Sequence, residues 1–309
     1  MWRYDDSRAA LRDVLRLSRA MTFKSAVAGL PLGGGKGVIM LPLGAPTPRA
    51  RARGNVLRDF GDTVDVLAGH YVTAEDVGTS SKDMGVIAQR TPHVTGLSRR
   101  RGGSGDPSPY TALGVQAAIA ASCERAFGSP TLRGRTICVS GLGHVGMRLA
   151  KGLLRAGATV LATDIDPAKR EPLKAAGGRW ISTARALSQA ADVFAPCAMG
   201  GVLTHETIAE LQAPVVAGAA NNQLADDAVG ELLARRGVLW APDFVANAGG
   251  IINIAVELDG DGYDPARARE RVHGIADTLR RIYDDAERTG ATPLAAAMEL
   301  ARLRPREAT

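Results

Sequence analysis

A strand pattern that runs straight into a glycine-spaced turn constrains this chain more than any other feature: Thr136-Ile137-Cys138-Val139-Ser140 followed by Gly141-Leu142-Gly143-His144-Val145-Gly146. Five residues of buried-strand character, then G-x-G-x-x-G, then an apolar-striped stretch over 145–156 predict a strand, a tight turn and a helix. In that order the helix N-terminus and the turn amides are aimed at a pyrophosphate. A second strand, 158–163, ends at Asp164, about 20 residues on, where an acid accepts hydrogen bonds from ribose hydroxyls. Asp164-Ile165-Asp166 carries no Arg, so a 2′-phosphate would meet two carboxylates, and the pattern predicts NAD rather than NADP. His144 occupies a variable position of the turn and reads as packing over the pyrophosphate without chemistry of its own, as does Val145.

Beyond 136 the chain alternates apolar strands, at 193–195, 215–218 and 238–241, with helical patterns, which predicts a parallel, doubly wound sheet. The stretch Ser98-Arg99-Arg100-Arg101-Gly102-Gly103-Ser104-Gly105-Asp106-Pro107-Ser108-Pro109 is dense in Gly, Ser and Pro and reads as an interdomain hinge. Before it lie a helix over 9–19, a glycine-rich turn at 33–37, a strand over 38–41, a helix over 49–67 and a strand running into a loop over 71–79. The expected class is therefore α/β: a substrate or catalytic domain over 1–97 with a mixed α/β sheet, a Rossmann-type domain over 98–285, and a C-terminal helix, 286–309, returning towards the first domain.

The 309 residues carry a formal charge of +6, and 45% are hydrophobic. No apolar run approaches the roughly 20 residues that span a bilayer, and the first residues lack a signal-peptide h-region, so the expected location is the cytoplasm. Cys123, Cys138 and Cys197 are odd in number and far apart, which fits neither a disulfide framework nor a zinc site, and no metal is expected. The positive charge is mostly scattered arginine without aromatic interleaving. Nucleic acid is therefore not an expected partner. Among the 38 basic residues only Lys24, Lys36, Lys82, Lys151, Lys169 and Lys174 are lysines. Lysine can act as a base when desolvated, whereas arginine effectively cannot.

Two of those six fall within Met21-Thr22-Phe23-Lys24 and Gly33-Gly34-Gly35-Lys36-Gly37. The latter is no Walker A loop, because Gly37 stands where Ser or Thr should follow the Lys and Leu30 where the first Gly should be. Asp76 lies at the end of a predicted strand. A dinucleotide domain beside two lysines and an aspartate suggests hydride transfer from an anionic substrate, with Lys24 clamping a carboxylate and Lys36 as general base beside Asp76. The alternative is that both lysines are solvated surface residues.

The segments Met21-Thr22-Phe23-Lys24-Ser25-Ala26, Gly33-Gly34-Gly35-Lys36-Gly37, Thr73-Ala74-Glu75-Asp76-Val77-Gly78-Thr79, Ala195-Pro196-Cys197-Ala198, Asn221-Asn222-Gln223-Leu224 and Asn247-Ala248-Gly249-Gly250-Ile251-Ile252-Asn253 closely resemble the Glu/Leu/Phe/Val dehydrogenase family, nearest its leucine and valine members. The resemblance covers nearly the whole chain. It implies NAD-dependent oxidative deamination of an L-amino acid to a 2-oxo acid and ammonium, in a homo-oligomer. By the same resemblance Lys24 holds the substrate α-carboxylate, Lys36 activates water, and Asp76 handles protons at the amine. Met21, Ala74, Ile251 and Ile254 match side-chain pocket positions, and Asn222 matches an amide near substrate and nicotinamide. Thr111, Cys197 and Ala198 match cofactor contacts, beside Gly141, Gly143, Gly146, Asp164 and Ile165.

An all-apolar pocket would bury a side-chain carboxylate unpaired, at a cost of several kcal/mol, which disfavours glutamate. Branched Ile251 and Ile254 should narrow it against an aromatic ring, leaving leucine, valine and isoleucine. Family members carry strands and helices before the residues matching Met1-Trp2, so the resemblance implies a first domain incomplete at its N-terminus. The alternatives are a catalytically weakened, regulatory NAD-binding protein and a phenylalanine-type dehydrogenase.

Overall fold

The computed structural model describes residues 1–307, in two compact units: Met1–Ala26, Leu30–Pro107 and Ile251–Ala268 form the first, and Val27–Gly29, Ser108–Gly250 and Arg269–Thr309 the second. The switch falls at 107/108 rather than 97/98. A later segment rejoins the first unit, and the C-terminal helix lies in the second. Sequence order hides this because 251–268 is separated from its unit by the whole dinucleotide fold.

In the first unit, helix α1 spans Ser7–Val27. It outruns the expected 9–19 because nothing breaks it before Gly29, whose φ of +67° stops it while the Leu30 N–H bonds the Ser25 carbonyl at 3.0 Å. This is a Schellman-type end, and it leaves Met21 and Lys24, three residues apart, on the last turns. Strand β1 (Trp2–Tyr4) pairs in parallel with β2 (Met40–Pro42). Helices α2 (Ala50–Val66) and α3 (Ser81–Ile87) pack through buried Leu57, Met84, Ile87 and Val94. The strand expected over 71–79 shrinks to a single parallel bridge, Thr73 to Val94. The Asp76 carboxylate accepts from the Val77 N–H (2.7 Å) and the Thr79 N–H bonds the Asp76 carbonyl (2.9 Å), turning the chain before a ladder can extend.

In the second unit, β3 (Thr136–Ser140), β4 (Thr159–Thr163), β5 (Arg179–Trp180), β6 (Val193–Pro196), β7 (Val215–Val216) and β8 (Leu239–Trp240) form one parallel sheet in the order β5-β4-β3-β6-β7-β8. Winding outward in both directions from β3 and β6 is the doubly wound arrangement, and it sets a crevice at the carboxyl ends of those two strands. Helices α4 (Ser108–Phe127), α5 (His144–Arg155), α6 (Arg170–Ala175) and α7 (Asp227–Arg235) cover it, followed by α8 (Asp243–Ala246); α9 (Gly249–Ala255) runs into the first unit's segment 251–268, α10 (Pro265–Thr289) runs out of it, and α11 (Pro293–Glu307) ends the described chain. Cys138, Phe194, Val216 and Trp240, one from each of four neighbouring strands, share a core with Val229 and Leu233 of α7, and Leu294 of α11 packs against it. Burial pushes the Cys138 thiol up to about 12 and the Cys123 thiol to about 11, leaving both unreactive packing residues. Among the described residues no helix is long and apolar enough to cross a membrane.

Candidate active site

In the first unit the glycine-rich turn is shaped by close approach. A Cβ on Gly35 would meet the Tyr71 ring at 2.6 Å, one on Gly37 the Phe60 ring at 2.8 Å, and one on Gly34 the backbone of α1. The turn thus lies flat against α1 and the Tyr71 segment, and Lys36 Nζ reaches the Asp76 carboxylate in a direct ion pair. The Lys36 side chain is largely covered, at 21% exposure, while that of Asp76 keeps 57%. Burial raises the Asp76 pKa, but the charge and hydrogen bond of Lys36, the Val77 N–H and the charge of Lys24 outweigh it and hold the carboxyl below its usual range. Lys24, Lys36 and Asp76 are therefore brought into one electrostatic cluster from a helix end, a turn and a loop.

The loop after Asp76 is braced by residues that sequence reading passed over. Arg53 of α2 makes a two-pronged ion pair with Asp83 of α3, both contacts 2.8 Å, and donates to the Gly78 carbonyl at 2.8 Å. The Arg53 hydrogen bond is the largest of several contacts holding the Asp83 carboxyl below its ordinary range, against the opposing effect of burial. A carboxylate with a lowered folded-state pKa contributes stability above its unfolded value of about 3.9 and loses it as pH falls through the folded one. Asp83→Asn is expected to cost about 3 kcal/mol at pH 7, since it strands a mostly buried guanidinium. The gap between the thermal melts of the two proteins should narrow progressively as pH falls below about 3.9; a gap that does not depend on pH there would remove the ion pair as the cause.

Segment 251–268 is tied back within this unit. The Glu257 carboxylate accepts from the Gly96 and Ser104 N–H groups, each at 2.8 Å, and Arg99 stacks on Tyr263 at 5.2 Å. Arg101 donates to the Gly85 carbonyl. Two of the three clustered arginines therefore tie the loop to other parts of the first unit, segment 251–268 and α3. Ile251 and Ile254 sit three residues apart on α9, both half-buried, as are Met21 and Ala74.

In the second unit, β3 ends at the glycine turn. Gly141 has φ +104°, and its N–H bonds the Thr163 carbonyl at 2.8 Å; a Cβ there would lie 2.7 Å from the Ala198 N and Cβ. A Cβ on Gly146 would collide with the Gly141 carbonyl. Gly143, by contrast, caps α5 and faces open space, so only there would a Cβ occupy the cradle in front of the helix N-terminus. Asp164 stands at the end of β4, its carboxylate accepting from the Leu142 N–H (2.6 Å) and the Asp166 N–H (2.8 Å). It thus braces the turn and retains acceptor capacity for ribose hydroxyls. Exposed Ile165 (93%) flanks it, with His144 exposed and Val145 half-buried beside the turn.

Cys197 follows β6, its N–H bonded to the Ser140 carbonyl at 2.7 Å; burial pushes its thiol up to about 12 despite a bond from the Ala219 backbone, so it is a spacer rather than a nucleophile. Thr111 is half-buried at the start of α4, and Asn222 is exposed with a left-handed φ of +51°. The open cradle at Gly143, the helix N-terminus behind it and the free lone pairs of Asp164 fit a dinucleotide.

A doubly wound dinucleotide fold in one unit and a cluster of two lysines and an aspartate in the other are the features of a nicotinamide-dependent oxidoreductase acting on amino acids. Comparison with known proteins makes this specific. Residues 2–93 match the Glu/Leu/Phe/Val dehydrogenase dimerisation domain, and 164–308 match the Glutamate/Leucine/Phenylalanine/Valine dehydrogenase domain. The chain is 42% identical over 305 residues to leucine dehydrogenase of Bacillus subtilis, covering 98% of this chain and 82% of that one. It is also 42% identical over 309 residues to valine dehydrogenase of Streptomyces virginiae, covering 99% and 84%. The crystal structure of L-tryptophan dehydrogenase from Nostoc punctiforme superposes with a TM-score of 0.85 at 39% identity, covering 99% of this chain and 87% of that one. The chain belongs to the Glu/Leu/Phe/Val dehydrogenase family, and it is an NAD-dependent amino acid dehydrogenase.

Proposed function

We propose that the protein oxidatively deaminates a branched-chain aliphatic L-amino acid, leucine, valine or isoleucine, to its 2-oxo acid and ammonium. The observation that carries the reading is the Lys36–Asp76 ion pair set in the field of Lys24. Lys24 holds the α-carboxylate as a point charge on a rigid helix end. Bound NAD would supply the hydride acceptor for the α-carbon, the oxidation that turns the substrate amine into an iminium. Once Lys36 has passed its ammonium proton to the Asp76 carboxylate, its free amine takes the proton of the water that attacks the iminium carbon. Asp76, held ionised, moves protons on and off the nitrogen, exchanges one with Lys36 Nζ, and lets ammonium leave as the carbonyl forms. In the second unit Gly141, Gly143, Gly146 and Asp164 hold the dinucleotide, and Thr111 and Asn222 orient its nicotinamide.

Half-buried, branched Ile251 and Ile254 favour an aliphatic side chain, and the relatives named leucine and valine dehydrogenase support the same choice. A relative named L-tryptophan dehydrogenase at 42% identity makes an indole side chain the competing reading. The test is NADH formation by the full chain with leucine, valine, isoleucine, phenylalanine, tryptophan and glutamate. A branched aliphatic substrate should give the highest kcat/KM, and a preference for tryptophan would overturn the pocket assignment. The match of 2–93 to a dimerisation domain, with Leu11 and Leu15 exposed on α1, supports a homo-oligomer, which sedimentation would detect.

A further inference from the structure

The loop that carries Asn222 is held by a buried polar network with no assigned role in the reaction. Gln223, fully buried, uses its whole side chain: Nε2 donates to the Gly218 and Ala220 carbonyls, both at 3.1 Å, and Oε1 accepts from the Trp240 indole at 3.0 Å. Its backbone N–H bonds the Asp243 carboxylate at 2.8 Å. Asn247 Nδ2 donates to the Ala219 carbonyl at 3.1 Å and to Asn221 Oδ1 at 2.8 Å. From the other side, the Gly201 N–H bonds the Asn222 carbonyl at 2.7 Å and the Leu203 N–H bonds the Gln223 carbonyl at 3.0 Å. A side chain on Gly200 would strike the Asn221 and Asn222 carbonyls, so that backbone approach is a close one.

Asn222 takes the left-handed region at φ +51°, which asparagine enters more readily than other side-chain-bearing residues, and its surroundings determine whether it stays there. The neighbouring glutamine supplies that determination. It joins 218–220, on the near side of the turn, to β8 on the far side, so the turn cannot relax without breaking buried hydrogen bonds.

We propose that Gln223 is a positioning residue for the reaction: through the Gly218, Ala220 and Trp240 bonds it locks the turn that presents the Asn222 amide, and it acts on catalysis only through Asn222. This rests on the reading of Asn222 as the amide beside substrate and nicotinamide. Gln223→Met keeps the volume and removes the polar bonds; Trp240→Phe removes one bond only and substitutes for it if Gln223→Met fails to fold.

The experiment is a double-variant cycle with Asn222→Ala on the full-length enzyme and its best amino acid, reading kcat, KM and NADH affinity. Gln223→Met should lower kcat/KM by about tenfold to a hundredfold, and adding it to Asn222→Ala should lower it by no more than about twofold further. NADH affinity should change by less than about threefold, because the pyrophosphate cradle is built elsewhere. If the two losses multiply, Gln223 acts independently of Asn222 and the proposal fails. If the wild type turns over no amino acid, the functional reading fails by itself. A crystal structure of Gln223→Met then judges the positioning claim: Asn222 leaving the left-handed region upholds it, and an unchanged φ overturns it.

Discussion

Replacing Lys36 by Ala is expected to lower kcat with the preferred amino acid by about a hundredfold to ten-thousandfold, the range spanned by the positioned general base proposed for it. KM for the amino acid changes far less. Lys36 is covered and its Nζ is committed to Asp76, so its contribution falls on the proton steps rather than on docking the carboxylate. Lys24→Ala should show the converse, a KM raised well beyond any change in kcat, because an anchoring charge is felt equally by bound substrate and transition state. Steady-state rates for both variants, with thermal melts to confirm folding, separate the roles. Equal turnover by wild type and Lys36→Ala would remove the base assignment.

The second large effect is expected in the dinucleotide fold. Gly141→Ala combines a φ of +104° with a Cβ 2.7 Å from the backbone and side chain of Ala198, and neither can yield without moving β6 or the turn. Strain and overpacking together should cost about 3 kcal/mol, which is about a hundredfold in NADH affinity if the turn is displaced. Gly143→Ala isolates the ligand's part of this. Its Cβ meets nothing within 4 Å, so the protein should melt as wild type while NADH binding weakens, the methyl standing where the pyrophosphate must approach. Fluorescence titration with NADH reads both variants. Unchanged affinity in Gly143→Ala would show that the pyrophosphate does not use this cradle.

The parts of the fold that were legible share a physical cause. In β3, β4 and α5 the period of apolar residues and the glycines' conformational demands are local, so the observed limits fall within a residue or so of those expected. The strand expected over 71–79 failed for an equally local reason, the tight turn closed by the Thr79 N–H on the Asp76 carbonyl, which a hydropathy pattern does not register. The return of 251–268 to the first unit was invisible, because a chain that leaves a compact unit and rejoins it carries no compositional mark. The Arg53–Asp83 brace and the far side of the Gln223 network were missed since Asp83 lies 30 residues from Arg53, and Trp240 and Asp243 lie 17 and 20 residues from Gln223.

By itself the sequence determined the dinucleotide turn, the acid at the end of the next strand, the preference for NAD and the presence of two lysines where arginine is the rule. Each is set by neighbours in the chain, through backbone conformation, helix polarity or charge next to charge. The tertiary structure decided that Lys36 meets a carboxylate distant in sequence, since pairing it with Asp76 across 40 residues depends on packing the turn against Tyr71 and Phe60, whereas Lys169 and Lys174 pair with acids three residues away. It also decided that the Asp164 carboxylate braces the turn, and that Asn222 takes a left-handed φ beside a buried, fully bonded glutamine. Hydrogen-bond partners buried together are chosen by where the fold puts them, and one-dimensional spacing carries no record of that choice.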